Sequence, residues 1–329
     1  MRPEGCLFWR WLSRGAAIVG ASGLVGGGHG IGGRVPESSV QPRGAVRRMV
    51  PAPGGRVHVT EYPGVAPPLV LMHGFPDDSR VYDRLVPLLA ARRVLTLDWL
   101  GYGRSERADL GGGGVDHQHE LRAVLDSLEL GRVVLVGHDA SGPDAIDFAV
   151  SYPGRVGQLV LLNTYYGHAP SLRLPEMIRL LADPGLTPLA DAIIAEPEQR
   201  LWLLAHTARQ FGMDPADQDG VAVRSSLPQF FGDDTQPDAL AAIRAWTADL
   251  FPALEQQDTH IAAGDTAALD LPVTLAFGVA DHYLSPNLAR HLAGLFRHAD
   301  VRLVDGASHW PQWDQPAGVA KLILQAAHR

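Results

Sequence analysis

The sequence has very little cysteine, since Cys6 is the only one among its 329 residues. An internal disulfide and a thiolate metal cluster are therefore excluded, and cysteine usage ties the body of the protein to no redox compartment. The sequence also lacks long blocks of like charge, although its net charge is −8. We therefore expect neither a nucleic-acid partner nor stable association with a membrane, and a small neutral ligand fits the composition better.

The sequence also lacks convincing motifs for metal ions and dinucleotides. No His-x-x-x-His pair has an acidic companion at a suitable spacing, and His117 and His119 flank a predicted helix start, where we expect exposure to solvent. Residues 20–26 resemble a dinucleotide-binding turn. Glycines oppose the helix that should follow it, and no strand with an acidic ribose ligand comes at the right distance. We predict neither a cofactor nor a metal ion.

Residues 1–45 differ in composition from the rest of the chain. Arg10 and Arg14 precede a weakly apolar stretch that is diluted by nine glycines between Gly15 and Gly33. Such a stretch is a poor export signal. We interpret these residues as an N-terminal extension, either disordered or a weak targeting segment. We expect a cytoplasmic protein, with export as the alternative if this extension acts as a signal.

From residue 46 onwards, strand patterns alternate with helical patterns. Strands are predicted at residues 56–62, 69–72, 94–98, 133–137, 158–163, 273–277 and 301–304. Helices are predicted at residues 81–91, 117–130, 143–151, 286–295 and 315–328, and a surface loop at residues 111–114. This alternation predicts an α/β fold with a mainly parallel sheet flanked by helices.

The alternation stops at about residue 165. From there to residue 258 the sequence contains helical stretches, at residues 176–181, 198–211 and 237–250, and no convincing strand. We interpret residues 165–258 as a helical lid inserted into a core that comprises residues 46–164 and 259–329.

Three polar residues follow predicted strands. Asp139, Asp281 and His309 come after the strands at 133–137, 273–277 and 301–304, respectively. Ligands of open parallel sheets bind beyond the carboxyl ends of the strands. A carboxylate at a turn, a histidine that can activate water and a second carboxylate that orients the histidine form a working catalytic set.

Five short segments carry a resemblance to a known family. They are His73-Gly74-Phe75-Pro76, residues 98–105, Gly137-His138-Asp139, residues 278–281 and residues 306–310. On these segments, the sequence from about residue 50 to the C terminus resembles the alpha/beta-hydrolase superfamily. Within it, the sequence is most similar to the aspartate-nucleophile branch of epoxide hydrolases and haloalkane dehalogenases. The resemblance implies the alpha/beta-hydrolase fold.

The resemblance also implies a role for each polar residue. Asp139 would attack an electrophilic carbon, and it needs no base because an aspartate is ionised at neutral pH. His309, oriented by Asp281, would then take a proton from water, and the hydroxide would cleave the alkyl ester on Asp139. The backbone N–H groups of Phe75 and Ala140 would hold the tetrahedral oxyanion.

Several of these residues also have a plainer interpretation. Asp139 could be an ordinary helix N-cap, and Asp281 could cap a helix that begins at Pro286. His309 is one of 14 histidines, so its residue type alone carries little information. The order of the three residues along the chain favours the catalytic interpretation.

Ser141 is a rival nucleophile, because it lies two residues after Asp139. We take the strand to end at Gly137, so the tip of the turn falls at Asp139, and Ser141 becomes the small residue that lets the turn close. We interpret His73 and His138 as residues that pack beside this turn.

The donor to the leaving group differs between the two branches of relatives. Epoxide hydrolases of this family use two lid tyrosines to protonate the ring oxygen. The predicted lid interior contains no tyrosine, so the candidates here are Tyr165 and Tyr166 at its entrance and Tyr283 beyond Asp281.

Haloalkane dehalogenases instead need donors to the halide. Commonly these are a tryptophan directly after the nucleophile plus an asparagine or a lid tryptophan. Here Ala140 follows the nucleophile, and the oxyanion loop has Phe75 instead of asparagine. Trp202 and Trp246 are the candidate donors, although tryptophans at helical spacing are also common in lid cores.

The sequence thus predicts a hydrolase that acts at an electrophilic carbon through an alkyl ester on Asp139. We expect an epoxide hydrolase-like activity that uses water and a small hydrophobic substrate, with a haloalkane dehalogenase as the alternative. An acyl hydrolase or lyase, or a non-catalytic ligand-binding member of the same fold, is a further alternative. The hydrophobic substrate is suggested by apolar lid residues, namely Trp202, Leu203, Leu204, Phe211, Phe230, Phe231 and Trp246.

Overall fold

The computed structural model describes residues 44–107, 116–214, 217–234 and 236–326. Most of the predicted N-terminal extension, including the dinucleotide-like turn at residues 20–26, lies outside the described residues. The predicted loop at residues 111–114 also lies outside them. What the sequence predicts for these segments stays a prediction.

A single eight-stranded sheet organises the described part of the chain. Its strands are β1 (Val46–Ala52), β2 (Gly55–Tyr62), β3 (Val65–Met72), β4 (Arg92–Asp98), β5 (Val133–Asp139), β6 (Val156–Thr164), β7 (Val273–Gly278) and β8 (Ala299–Val304). They lie side by side in the order β1-β2-β4-β3-β5-β6-β7-β8. β2 is antiparallel to β1 and to β4, and all other neighbours are parallel. The predicted α/β fold with a mainly parallel sheet is confirmed.

Helices pack on both faces of this sheet. Alternate residues of β3 illustrate this, because Leu69 and Leu71 belong to one buried apolar cluster while Val70 and Met72 belong to another. The α-helices are α1 (His117–Ser127), α2 (Ser141–Ser151), α3 (Glu176–Ala182), α4 (Thr187–Ala195), α5 (Pro197–Gln210), α6 (Leu227–Phe231), α7 (Leu240–Ala263), α8 (Asp265–Ala268), α9 (Pro286–Ala293), α10 (Pro311–Asp314) and α11 (Pro316–Ala326). None of the helices that the structure describes has both the length and the apolar composition needed to span a lipid bilayer.

The described residues between β6 and β7 form helices and turns without a strand. The helix predicted at 237–250 begins later, at Leu240, because the carbonyl groups of Pro237 and Asp238 accept hydrogen bonds from the Arg107 guanidinium and remain in a loop. It also ends later, at Ala263, where Gly264 adopts a left-handed φ of 80°. This continuous helix crosses the boundary predicted at residue 258, and the division into lid and core stays a prediction.

One local prediction of secondary structure is wrong, and one strand was missed. The helix predicted at 81–91 is replaced by two short 3₁₀ turns, Ser79–Tyr82 and Val86–Leu89. Pro87 lacks an N–H group and its ring would clash with the preceding turn, so a continuous α-helix cannot pass through it. The edge strand β1 was not predicted, because only Val50 in it is buried and no alternating pattern marks it.

The predicted solvent exposure of His117 is also wrong. Its side chain is 1% exposed, whereas the side chain of His119 is 55% exposed. The ring of His117 is covered by the indole rings of Trp99, which follows β4, and Trp246, which lies on α7. A sequence pattern at a helix start cannot reveal a cover that comes from two distant segments.

Candidate active site

The strand order creates a topological switch point at the neighbouring strands β3 and β5. The chain passes from β3 to its neighbour β4 on one side and later returns to β5 on the other side. The carboxyl ends of β3 and β5 therefore flank a crevice at a topological switch point, where ligands of such sheets bind. Phe75 follows β3, and Asp139 ends β5.

The turn from β5 to α2 presents the side chain of Asp139. Asp139 has a φ of 51°, in the left-handed region that non-glycine residues rarely adopt. The chain approaches it closely, since a Cβ atom on Gly74 would lie 2.5 Å from the Asp139 Cβ atom. Ser141 stabilises the turn by sharing its single hydroxyl hydrogen between the carbonyl of Met72 at 2.6 Å and that of His138 at 3.0 Å. This arrangement matches the predicted structural role of Ser141.

The two carboxylate oxygens of Asp139 have different surroundings. Oδ2 accepts a hydrogen bond from the Phe75 backbone N–H at 3.0 Å, and the carboxylate is also bonded to the Ala140 backbone N–H. Oδ1 lies 3.8 Å from Nε2 of His309. Burial raises the pKa of Asp139, although the charge of His309 and the two N–H groups oppose this rise. One oxygen is therefore held and the other faces the histidine.

Asp281 and His309 form a buried pair. Nδ1 of His309 lies 2.8 Å from Oδ2 of Asp281. Burial raises the pKa of Asp281, but the charge and hydrogen bond of His309 outweigh it, so that the pKa lies below its ordinary value. Burial lowers the pKa of His309, but Asp281 outweighs this and raises it. The other oxygen of Asp281 accepts the N–H groups of Tyr283 and Leu284, so it caps this loop as well.

Asn163 is a member of the site that the sequence did not reveal. It is fully buried, has a φ of 31° and donates its Nδ2 group to Oδ2 of Asp281 at 2.9 Å. Its Oδ1 atom accepts the N–H of Gly278 at 2.8 Å, which fixes the amide orientation. Asn163 therefore holds the same carboxylate oxygen that pairs with His309. Its place at the end of β6 was the available signal.

We expect Asn163→Ala to raise the pKa of His309. Asn163 donates to the same Asp281 oxygen as His309 and lowers the pKa of that carboxyl, so without the amide the carboxylate is a more basic partner for the imidazolium. NMR titration of the His309 ring should therefore give a midpoint at higher pH than in the wild type. The protein should lose about 2 kcal/mol of unfolding free energy, because the Gly278 N–H loses its acceptor. Asn287→Ala, on the exposed side of α9, is the control and should leave both values unchanged. An unchanged His309 titration would remove Asn163 from the site.

The two other histidines of the motif segments lie beside the site as packing residues. His138 is fully buried and donates Nε2–H to the backbone carbonyl of His309 at 2.8 Å. Burial lowers the pKa of His138 well below its ordinary value, so it is neutral. His73 is also fully buried, and its Nε2 accepts the backbone N–H of Trp99 at 3.0 Å.

The candidate leaving-group tyrosines separate into one with a free hydroxyl and two with bonded hydroxyls. Tyr166 donates to Asp147 at 2.5 Å, and Tyr283 donates to Glu176 at 2.7 Å. Tyr165 lines the cavity beside Asp139, and its hydroxyl has no hydrogen-bond partner among the described residues. Burial, and then the charge of Asp139, raise the pKa of Tyr165 well above its ordinary value, so it stays protonated.

The two candidate tryptophans occupy different positions. Trp246 is buried, lines the cavity and packs edge-on against the Phe75 ring at 5.7 Å between centroids. Trp202 is 63% exposed and stacks on His206, so it lies at the rim. Within the described part of the chain, the indole N–H of neither tryptophan is hydrogen-bonded.

A cavity of about 700 Å³ lies above Asp139, within the usual size range for small-molecule sites. Its floor includes Phe75, Asp139, Ala140 and His309. Most of the remaining wall is apolar and comes from the predicted lid, including Leu174, Met177, Ile178, Leu201, Leu204, Phe211, Val223, Leu227, Trp246 and Leu250. Of the apolar lid residues named from the sequence, Leu203, Phe230 and Phe231 do not line it.

Asp77 connects the floor to the lid. It is fully buried and accepts hydrogen bonds from Trp310 Nε1 at 2.8 Å and from the Ser226 hydroxyl at 2.7 Å. Burial raises the pKa of Asp77 to about 6. Trp310 follows His309, and Ser226 ends a π-helical turn at Ala222–Ser226.

Within residues 44–107, 116–214, 217–234 and 236–326, no group of three or more His, Cys, Asp or Glu side chains could hold a metal ion.

Comparison with known proteins places these features in a wider group. The model of a family described as alpha/beta hydrolase fold matches residues 67–316. Haloalkane dehalogenase 2 of Mycobacterium tuberculosis is 34% identical over 132 residues, which are 40% of this chain and 46% of that protein. The chain thus matches about half the length of that relative.

Two further relatives match most of this chain at lower identity. The 2-hydroxy-6-oxononadienedioate/2-hydroxy-6-oxononatrienedioate hydrolase of Burkholderia vietnamiensis is 26% identical over 283 residues, covering 83% of this chain and 91% of that protein. Bifunctional epoxide hydrolase 2 of Sus scrofa is 23% identical over 311 residues, covering 83% of this chain and 53% of that protein. The solved structure of the haloalkane dehalogenase DatA from Agrobacterium tumefaciens C58 superposes with a TM-score of 0.67 at 21% identity, covering 89% of this chain and 99% of that one. The superposition demonstrates the shared fold.

Proposed function

Since this chain belongs to the alpha/beta hydrolase fold family, we propose that it hydrolyses epoxides of hydrophobic small molecules through an alkyl ester on Asp139. The observation that carries the proposal is the asymmetric setting of that carboxylate. Oδ2 is held by the Phe75 N–H group and the carboxylate is also bonded to the Ala140 N–H group, while Oδ1 lies 3.8 Å from His309 Nε2 at the floor of an apolar cavity. Among the relatives, an epoxide hydrolase matches 83% of this chain.

In the first step, Oδ1 of Asp139 attacks a ring carbon of the epoxide. A bond forms between Oδ1 and this carbon, and the bond between the carbon and the ring oxygen breaks. The oxygen needs a proton as it leaves, because an alkoxide is a poor leaving group. Tyr165 supplies it, since its hydroxyl is protonated, has no hydrogen-bond partner among the described residues and is close enough to Asp139 for their charges to interact.

In the second step, water cleaves the ester. His309 Nε2 takes a proton from water while Asp281 orients the ring through Nδ1. The hydroxide adds to the carbonyl carbon of the ester. The resulting oxyanion develops on Oδ2, which already accepts the Phe75 N–H, and the Ala140 N–H that bonds the same carboxylate also stabilises the negative charge. The preformed bonds to the carboxylate therefore serve the second step.

Every proton that is transferred during the cycle is accounted for at its end. When the ester breaks, the alcohol oxygen, which is the former Oδ1, takes the proton from His309 and leaves as part of a diol. The Asp139 carboxylic acid then loses its proton to the Tyr165 phenolate. All side chains return to their starting states, and one water has been consumed.

A parallel substrate panel tests the proposal. Styrene oxide and 1-bromobutane are incubated separately with the wild type and with Asp139→Ala, while diol formation and bromide release are measured. We expect diol formation by the wild type alone. If neither product forms, or if the Asp139→Ala variant keeps the activity, the proposal is wrong.

Tyr165→Phe should lower the rate of epoxide opening about 100-fold, the size of a general-acid contribution. The change removes one hydroxyl and leaves the ring in the cavity wall. Tyr166→Phe is a matched control, because its hydroxyl is bonded to Asp147 and does not line the cavity. Single-turnover diol formation is the measurement. Equal rates for the two variants would remove Tyr165 from the mechanism.

Haloalkane dehalogenation is the second candidate function. It is favoured by the unbonded indole N–H of Trp246 in the cavity wall, which could donate to a departing halide. The dehalogenase match over 40% of this chain points the same way. In the panel above, bromide release without diol formation would select this function, and Trp246→Phe should then slow it.

A further inference from the structure

A second histidine and carboxylate pair lies behind the cavity wall. His117, at the start of α1, is bonded through Nδ1 to Oδ2 of Asp144, in the first turn of α2, at 2.9 Å. The histidine side chain is 1% exposed and that of Asp144 is 23% exposed. The proposed hydrolysis uses neither residue, so this buried pair needs a separate explanation.

Two tryptophans enclose the ring of His117. It stacks on Trp99 with 4.3 Å between ring centroids and an interplanar angle of 22°. It meets Trp246 at 4.4 Å and 71°. Trp246 lines the cavity and His117 does not, so the indole of Trp246 stands between the histidine and the substrate space.

The surroundings favour a charged imidazole. Burial lowers the pKa of His117, but the charge and hydrogen bond of Asp144, together with the charges of Glu120 and Asp116, outweigh it and raise the pKa. Glu120 is itself buried and accepts the Leu100 N–H. His73 also faces His117, and its pKa is lowered by burial and, in smaller part, by the charge of His117.

The charged ring is partnered on one side only. Nε2 of His117 is buried and has no hydrogen-bond partner in the part of the chain that the structure describes. The positive charge is therefore met on that side by aromatic rings. A cation in contact with an indole is attracted to it, and the attraction is stronger where water is excluded.

We propose that His117 and Asp144 are positioning residues that hold Trp246 in the cavity wall and thereby determine how tightly the site takes an apolar substrate. The kinetic part of this inference rests on the proposed function. The effect is transmitted through the contact of His117 with the Trp246 ring. Asp144 contributes by keeping His117 charged.

Indole emission provides a direct test, because a protonated imidazole in contact with an indole quenches its fluorescence. The measurements use a Trp202→Phe background, since His206 stacks on Trp202 and would add its own titration. Emission should rise as the pH passes upward through the raised pKa of His117. His117→Gln should remove this component, whereas Trp246→Phe should reduce it to the part that comes from Trp99, which also contacts His117.

Asp144→Asn sharpens the test. It keeps an acceptor for Nδ1 and removes the charge, so the emission midpoint should move to lower pH. A merely structural role for Asp144 would leave the midpoint in place. His119→Gln is the matched control, because His119 lies on the same turn of α1, pairs with Asp116 and is exposed. It should leave the emission curve unchanged.

A second test measures the Kd of the protein for N-phenyl-1-naphthylamine, a neutral apolar fluorescent probe. This measurement does not depend on turnover. We expect the Kd to rise about fivefold in His117→Gln and in Asp144→Asn, in line with the loss of one cation–π contact. The KM for styrene oxide should rise by a similar factor while kcat changes less. His119→Gln should match the wild type.

The wild type alone provides a further check if a variant fails to fold. Its Kd for the probe should rise with pH over the same range as the emission. An unchanged Kd in His117→Gln, or an emission titration as large in it as in the parent protein, would overturn the inference. If no epoxide or alkyl halide is hydrolysed, the proposed function fails, while the emission and probe measurements still decide on the positioning role.

Discussion

Replacement of His309 by glutamine should leave the protein covalently attached to its substrate at Asp139. The attack by Asp139 needs no base, because the nucleophile is a carboxylate. Hydrolysis of the ester needs a group that takes a proton from water, and glutamine cannot do so. Single-turnover ester formation should therefore survive, whereas steady-state turnover should fall by about 10⁴-fold. Intact-mass measurement after incubation with styrene oxide should show one added substrate, and peptide mapping should place it on Asp139.

Exposed histidines allow a matched control for this experiment. His298→Gln changes a histidine that pairs with Asp270 at the surface, and it should turn over normally with no accumulated adduct. The double variant with His309→Gln and Asp139→Ala should also show no adduct. A His309→Gln protein that stays free of adduct while consuming no epoxide would contradict the two-step mechanism. An adduct on any residue other than Asp139 would contradict the assignment of the nucleophile.

The positions of Asp139, Asp281 and His309 could be predicted because they depend on a repeating physical rule. Continuous apolar runs become buried parallel strands, and parallel strands end at one edge of the sheet. Polar residues placed just after such runs must then lie near one another. The structure brings Asp281 to 2.8 Å and Asp139 to 3.8 Å from the two ring nitrogens of His309. Neither distance could be read from the sequence, but the gathering of the three side chains could.

The surroundings of His117 and Asn163 could not be predicted in this way. Local sequence is nearly the same for His117 and His119, which lie on one turn and each pair with an aspartate. Only the rings of Trp99 and Trp246, from distant segments, make the first of them buried. Asn163 likewise gains its role from Asp281, which lies 118 positions further along the chain. Long-range partners of this kind leave no periodic signal in a sequence.

The choice among leaving-group donors could not be predicted from the sequence either. Tyr165 and Tyr166 are adjacent, so the sequence treats them alike. The two side chains lie on opposite sides of the backbone at the end of β6, so that one lines the cavity and the other reaches Asp147. Successive side chains of an extended segment alternate in direction, but the register that decides which one faces the cavity depends on the sheet. The structure therefore distinguishes the two tyrosines by position, since Tyr165 lines the cavity and Tyr166 bonds Asp147.

Asp139→Ala should abolish activity, whereas Ser141→Ala should mainly reduce stability. Asp139→Ala removes the nucleophile, and we expect turnover of styrene oxide to fall by at least about 10⁴-fold. Ser141→Ala removes a hydroxyl that bonds two carbonyl groups and accepts the His138 N–H, so it should cost about 2 kcal/mol of unfolding free energy. Because Ser141 forms no bond with His309, its loss should reduce turnover by less than about tenfold. Denaturant unfolding and steady-state kinetics on both variants provide the comparison.

Isotope labelling separates these two candidate nucleophiles even if both variants lose activity. In the proposed cycle, the oxygen that enters the first diol comes from Oδ1 of Asp139, and water replaces it in the carboxylate. A single turnover of the wild type in water enriched in oxygen-18 should therefore give unlabelled diol and one heavy oxygen in the peptide that contains Asp139. A water molecule that attacked the epoxide directly would label the diol and leave the protein unchanged. Attack by Ser141 on the epoxide would instead give an ether, which has no carbonyl carbon for water to attack. Water would then have to displace the serine oxygen at the substrate carbon, so the label would enter the diol and leave the protein unlabelled, which would contradict Asp139 as the nucleophile.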